Sequence, residues 1–256
     1  MTTTIYKHAD FEAPQWGEFA SPPQDRPGYR SLLLSYNPMA YWRLGEVSGT
    51  TAIDESGNGH DASYVGGVQL NQPGALDYDH NPSVQLDGNS GWIDLPTGFG
   101  LAMNDPVTIM FWNHVRSAEV QRSFAFSIGG LYSPNRCLAH APWNNNTLFW
   151  DYGTDDAIGR VSADYSPFLD QWTHVTLVSA GRLGSFKAVY LDGDLMASSS
   201  TSTGPEQNLA GGSISLPPAV SDRQHRGGLD EFAVFNQVLT AEQIRALYHA
   251  GVNVWT

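Results

Sequence analysis

GGLDEFAVFNQVLTAEQIRALYHAG, residues 227–251, sets two periodicities side by side. Residues 229–235, LDEFAVF, are rich in apolar and aromatic side chains, the composition of a strand. Residues 240–251 read as a helix. Thr240 is a good N-cap and Gln243 completes a capping box. Ile244, Leu247 and Tyr248 share one face, and Gly251 supplies a stop. No other stretch makes a convincing helix.

Outward from this closing segment, the chain is a series of short strand-like runs. SVQLDG (83–88) and GWIDLP (91–96) flank a turn. VTIMFWNHV (107–115), SFAFSIGG (123–130), TLFWDYG (147–153), WTHVTLVSA (172–180) and SISL (213–216) come between these and the closing segment. KAVYLDGDLMAS (187–198) holds Asp192-Gly193 between two apolar runs, a strong hairpin signal. Many short strands separated by turn signals predict an all-β sandwich or jelly roll.

Composition agrees. The 256 residues suffice for one large domain. Charged residues are only 15%, against 26 Gly and 15 Pro, which favours β-structure and turns. The net charge of −13 argues against nucleic acid or an anionic membrane surface as partner. Cys137 is the single cysteine, so no disulfide can form within the chain. MTTTIYKHADFEAPQ lacks the apolar core of a secretory leader, and no run approaches a membrane span. Release by lysis, or as part of a particle, is the expected route to the outside.

Residues 1–37 differ from the rest. Pro14, Pro22, Pro23 and Pro27 break regular structure, yet Tyr6, Phe11, Trp16, Phe19, Tyr29 and Tyr36 are aromatic. This predicts an extended assembly arm that docks on a neighbour or on its own domain, leaving residues 38–256 as the folded domain.

Three segments together resemble laminin-G-like, concanavalin A-like jelly rolls. These are YWRLGEVSGTTAIDESGNGHDASYVGGVQL (41–70), the pair WTHVTLVSA…KAVYLDGDLMAS (172–198), and the closing strand and helix quoted first. HAPWNNNTLFWDYG (140–153) resembles members found in tailed-bacteriophage virion proteins. The resemblance implies two curved antiparallel sheets forming a sandwich, with one short C-terminal helix here, and often a structural calcium.

DESGNGHDASYVGG (54–67) bears on that metal. Asp54, Ser56, Asn58 and Gly59 fit positions 1, 3, 5 and 6 of a calcium loop, but position 12 is Val65 instead of Glu. The resemblance pairs Asp54 and its turn with Asp230, which would supply the missing carboxylate. Carbonyls around Gly57, Asn58 and His60 would complete the Ca2+ shell. The alternative is that Asp54 caps its own turn.

Catalytic signatures are lacking. The eight glutamates do not form the paired-carboxylate pattern of the glucanases on this fold, and Asp230-Glu231 should point to opposite strand faces. There is no G-x-S-x-G, HExxH, P-loop or zinc spacing.

The best ligand candidate is 140–153. Trp143, Trp150 and Tyr152 can cover sugar faces, while His140 and Asp151 can bond hydroxyls. Trp150 and Tyr152 share one strand face and Asp151 the other, so one groove cannot hold all three unless the strand is bulged.

The expectation is therefore a non-enzymatic bacteriophage virion structural protein that displays a lectin-like jelly roll on the virion surface. Capsid decoration or a head fibre suits its length. The arm would bind other virion proteins or further copies of the chain. The alternatives are a tail receptor-binding or carbohydrate-binding adhesin and, less favoured, a polysaccharide hydrolase.

Overall fold

A computed structural model describes residues 27–252 apart from 104, 202 and 222. The elements along the chain are α1 (Tyr29–Ser35), β1 (Ala40–Trp42), β2 (Thr51–Ala52), β3 (Ala62–Val65), β4 (Gln69–Gln72), β5 (Ser83–Asp87), β6 (Trp92–Leu101), β7 (Val107–His114), β8 (Phe126–Ile128), β9 (Arg136–His140), β10 (Thr147–Gly153), β11 (Arg160–Asp164), β12 (Trp172–Ser179), β13 (Lys187–Leu191), β14 (Asp194–Ser199), β15 (Leu209–Ile214), β16 (Arg226–Phe235) and α2 (Ala241–Gly251).

All strand pairing between these elements is antiparallel. One sheet runs β14-β13-β12-β7-β16-β5-β4, with β1 also paired to β16. The other runs β11-β10-β9-β8-β15-β6-β3-β2. The two-sheet sandwich expected of the sequence is what forms.

Two apolar layers hold it together. Between the sheets, Phe111 stacks on Phe232 at 5.3 Å, and Phe126 meets Phe232 edge-on at 5.5 Å. Trp42, Trp150 and Tyr152 are fully buried in the same layer. The second layer covers the other face of the first sheet, where Trp112, Val178 and Tyr190 pack under Tyr29 and Leu33 of α1 and Ile244 and Leu247 of α2.

α2 forms as read: Thr240 and Gln243 make the reciprocal capping box. At its end Gly251 lies so close to Trp112 that a Cβ would sit 2.4 Å from the indole, so no larger residue fits unmoved. The Asp192-Gly193 turn takes positive φ at both residues, 50° and 80°, as a tight hairpin requires.

α1 corrects the expected extended arm at its C-terminal end. Tyr29 and Leu33 are apolar enough to leave water for the surface of β7 and β12, and Tyr29 Oη meets His174 Nε2 at 3.2 Å. The remainder of the arm, residues 1–26, lies outside the described residues.

Between Asp230 and Ala233 the register of β16 against β7 slips by a bulge, with Glu231 at φ 53°. Both carboxylates are thereby buried. Glu231 binds Arg43, with Nη2 to Oε1 at 2.6 Å, and accepts from the Tyr41 hydroxyl. Asp230 Oδ2 accepts the Ala75 N–H at 2.8 Å.

Candidate functional site

The loop after β2 was one candidate. Asp54 is nearly buried, and its carboxylate is occupied by backbone donors. Oδ1 accepts the N–H groups of Tyr41 and Ser56, and Oδ2 that of His60, each at 2.9 Å. Burial opposes its ionisation, but these bonds outweigh burial and hold its carboxyl below the usual value. The His60 carbonyl accepts the Trp42 indole N–H at 2.8 Å. Asn58 spends its amide N–H groups on the carbonyls of Pro38 and Met39, at 3.2 and 3.0 Å.

Asp230 does not join this loop. Trp42 bridges Asp54 on one side and pairs with Phe232 on the other, so the loop and β16 flank β1 about 10 Å apart, two strand spacings. Burial, and then the charge of Glu231, push the Asp230 carboxyl well up. The residues present do not fit the expected shared Ca2+. The turn that holds Asp54, Gly57, Asn58 and His60 is fastened by its own backbone donors on Asp54, and Asp230 Oδ2 binds the Ala75 N–H of the β4–β5 connection. Among the described residues no group of three or more His, Cys, Asp or Glu is placed to hold a metal ion. The turn instead lines a polar cleft of about 540 Å³ with Asn37, Ser56, Asn58, His60 and Asn236.

The second candidate divides in two. Trp150 and Tyr152 point into the inter-sheet layer, with rings stacked at 5.7 Å and no exposed surface. The Trp150 indole N–H donates to the Val178 carbonyl and the Tyr152 hydroxyl to the Asp105 carbonyl. Asp151 faces the opposite way, as strand alternation requires, yet is also fully buried. Arg160 holds it through Nε and Nη2, both at 2.6 Å, and Arg136 Nη1 at 2.9 Å. These three residues are structural and are not open to a sugar.

Trp143 is different. The β9–β10 connection turns back with Trp143 N–H on the Thr147 carbonyl at 2.8 Å and Asn146 N–H on the Trp143 carbonyl at 2.9 Å. Asn146 takes φ 58°, which Asn tolerates better than most residues. Trp143 is thus half-buried at the hairpin tip, with exposed Asn144 and Asn145 beside it. Beneath it lies His140, whose ring centroid is 4.5 Å away and nearly perpendicular. His140 Nδ1–H donates to the Ser123 carbonyl at 2.7 Å. Burial pushes its pKa down to about 4, so the imidazole is neutral at pH 7 and acts as a packing support.

Two guanidinium groups approach the same indole. The Arg122 and Arg223 carbons lie 5.8 and 5.4 Å from the Trp143 ring centroid, within cation–π range. With Gln121 and Asn144 they line a cleft of about 420 Å³. Gln121 is fixed there by donating to the carbonyls of Gly88 and Gln224, at 3.3 and 3.0 Å.

Trp143 and His140 were legible in the sequence, whereas Arg122, Arg223 and Gln121 were not. Arg122 precedes β8 and Arg223 precedes β16, and no local pattern announces that they meet the β9–β10 hairpin. The weak signal available was their rarity: the chain has only 13 Lys and Arg.

Known proteins place the chain in the same fold. The profile of the concanavalin A-like lectin/glucanases superfamily matches residues 87–245. A non-toxic nonhemagglutinin of Paraclostridium bifermentans is 26% identical over 172 residues, 67% of this chain but 13% of that protein. The binding domain of botulinum neurotoxin serotype D/C VPI 5993 superposes with a TM-score of 0.61 at 13% identity, covering 85% of this chain and 53% of that one. The binding domain of Paraclostridial Mosquitocidal Protein 1 gives 0.61 at 16% identity, again covering 85% and 53%. The chain therefore spans about half the length of these solved structures and a small part of the curated relative. At such identities the solved structures speak for the fold alone.

Proposed function

Because the chain belongs to the concanavalin A-like lectin/glucanases superfamily, we propose that it is a non-enzymatic, lectin-like binding module that takes a glycan at the Trp143 end of the sandwich. The observation that carries this reading is the Trp143 cleft. Arg122, Arg223, exposed Asn144 and Gln121 line a space of small-ligand size, and both guanidinium groups rest against the half-buried Trp143 indole beside it. Sugar hydroxyls need such donors and acceptors. The adjacent carboxylates Asp230 and Glu231, in contrast, are wholly buried and engaged by Ala75, Arg43 and Tyr41. That supports binding over glycoside hydrolysis, which needs two carboxyl groups reaching one substrate.

The test is a glycan array with the full chain and its Trp143→Ala variant. Binding that Trp143→Ala abolishes at unchanged melting temperature supports the reading. Binding that survives the substitution puts the site elsewhere. Incubation with a polysaccharide panel should release no reducing ends.

The larger setting we propose is display on a tailed-bacteriophage virion, as capsid decoration or a head fibre. Residues 1–26 and α1 would attach the domain to other virion proteins or to further copies of the chain. What supports it is the arm's mixture of prolines and aromatic side chains, together with the 140–153 resemblance. A tail or cell-surface adhesin is the second reading, favoured by the likeness to domains described as binding domains. Antibodies to the full chain, applied to lysates and viewed by electron microscopy, separate the two. Label on heads supports decoration, and label on tail tips or cell envelopes supports the adhesin.

A further inference from the structure

We propose a second ligand site, independent of the Trp143 cleft: the polar cleft beside the turn after β2 takes a neutral sugar. Asn37, Ser56, Asn58, His60 and Asn236 line about 540 Å³ there. Leu34, Pro38 and Met39 supply the apolar part of the wall. The two clefts lie off opposite ends of β16, because Arg223 precedes that strand and Asn236 follows it. Its ten residues span about 30 Å, so one monosaccharide cannot reach both.

Charge selects the ligand class. Among the described residues that line the cleft, none is Asp, Glu, Lys or Arg. Next to it Glu55 is paired with Arg30 at 2.5 Å, and Asp54 is occupied by backbone donors. An ionised ligand would give up water there for no counter-charge. A purely apolar one would strip water from five polar side chains and return no hydrogen bond. Amides and hydroxyls both donate and accept, as sugar hydroxyls do. The C–H face of a sugar ring can lie on Leu34 and Met39, both half-buried.

The walls are set before a ligand arrives. Asn58 spends its amide N–H groups on the carbonyls of Pro38 and Met39, and its N–H bonds Ser56 Oγ at 3.2 Å. The His60 ring stands edge-on to buried Phe99 at 5.4 Å. Gln237 donates to the Tyr36 carbonyl at 2.6 Å, and Met39 N–H to the Val234 carbonyl at 2.8 Å. These bonds hold exposed Asn37 and Asn236 on neighbouring segments. Fixed walls lose little freedom on binding.

The test titrates the full chain with the methyl glycosides of glucose, galactose and mannose and with N-acetylglucosamine, followed by NMR of the side-chain amides. At least one sugar should move the Asn37, Asn58 and Asn236 signals. The double variant Asn37→Gly/Asn236→Ala should bind it roughly tenfold more weakly, through the loss of two hydrogen bonds. Glycine accepts the φ of 54° at position 37, so the backbone there is kept. Trp143→Ala should leave this binding unchanged. Oxidising C6 to a carboxylate, as in methyl glucuronide, should weaken it.

Silence of all four sugars overturns the inference. So does binding that the folded double variant retains in full, or an acid that binds more tightly than its neutral parent. Should the double variant misfold, the amide signals of the unaltered chain still locate the site. Binding that moves only signals near Trp143 and is lost in Trp143→Ala supports the Trp143 reading and sinks this one. Binding here with none at Trp143 does the reverse.

Discussion

The Asp54 carboxylate accepts the backbone N–H of Tyr41 at 2.9 Å, and through that bond the turn after β2 is tied to the first strand of the opposite sheet. The carboxylate that the sequence offers to calcium is held here by three backbone N–H groups. Asp54→Ala leaves three N–H groups without their acceptor and should cost about 1–3 kcal/mol. Chemical denaturation measures that loss. Thermal melting in excess calcium and in chelator should coincide for the unaltered chain. A chelator-induced drop that Asp230→Ala abolishes would restore the metal and overturn this assignment.

Asp151 is a structural anchor, so its loss should show in stability before it shows in binding. Removing its carboxylate strands Arg136 and Arg160 against a buried position, and Asp151→Ala should cost about 3–5 kcal/mol. Trp150→Ala empties the inter-sheet layer and should cost a similar amount, about 3–5 kcal/mol. Trp143→Ala should cost clearly less. A Trp143 variant as unstable as the Trp150 variant would make the hairpin tip part of the core.

Acid should weaken the fold earlier than carboxylate titration alone would. Burial lowers the pKa of His174 to about 3 and those of His140 and His225 to about 4. In the unfolded chain these imidazoles take protons near pH 6.5, while the folded chain resists until pH 3–4. The stability they provide is full above pH 6.5 and drains away as pH falls toward 4, by up to about 1.4 kcal/mol per unit for each histidine. Urea midpoints at pH 7.5, 5.5 and 4.5 check this, and a flat profile down to 4.5 would contradict it.

Lys187 gives the opposite flank. Its ammonium is buried, donates to the Gly159 carbonyl and lies 5.2 Å from the Trp150 ring centroid. Burial lowers its pKa to about 7. Between pH 7 and roughly 10.4 the unfolded lysine holds a proton that the folded one has released, so stability should rise with pH across that window. Lys187→Met should flatten the rise and leave the protein at least as stable at pH 7. A steeper rise in the variant would show that another group is responsible.

The fold was legible because its signals are local. The capping box at Thr240 and Gln243, the Asp192-Gly193 turn and the apolar run of β7 each declare their structure within a few residues. β16 was read correctly as a strand, but its bulge at Glu231 was invisible, because it answers to Arg43 and Tyr41 far away in the chain. α1 was hidden behind four prolines, and its helix depends on Trp112 and His174, which only the folded sheet supplies. The site was half-legible for the same reason. Period-two alternation separated Trp150 and Tyr152 from Asp151, yet it could not tell that both faces of β10 are covered. Nor could it bring Arg122 and Arg223 to Trp143.

The most direct test of the central claim is a calorimetric titration of the full chain with a glycan selected on the array, repeated with Trp143→Ala at matched folding. The account predicts saturable binding by the unaltered chain and none by the variant. Equal binding by both would contradict it.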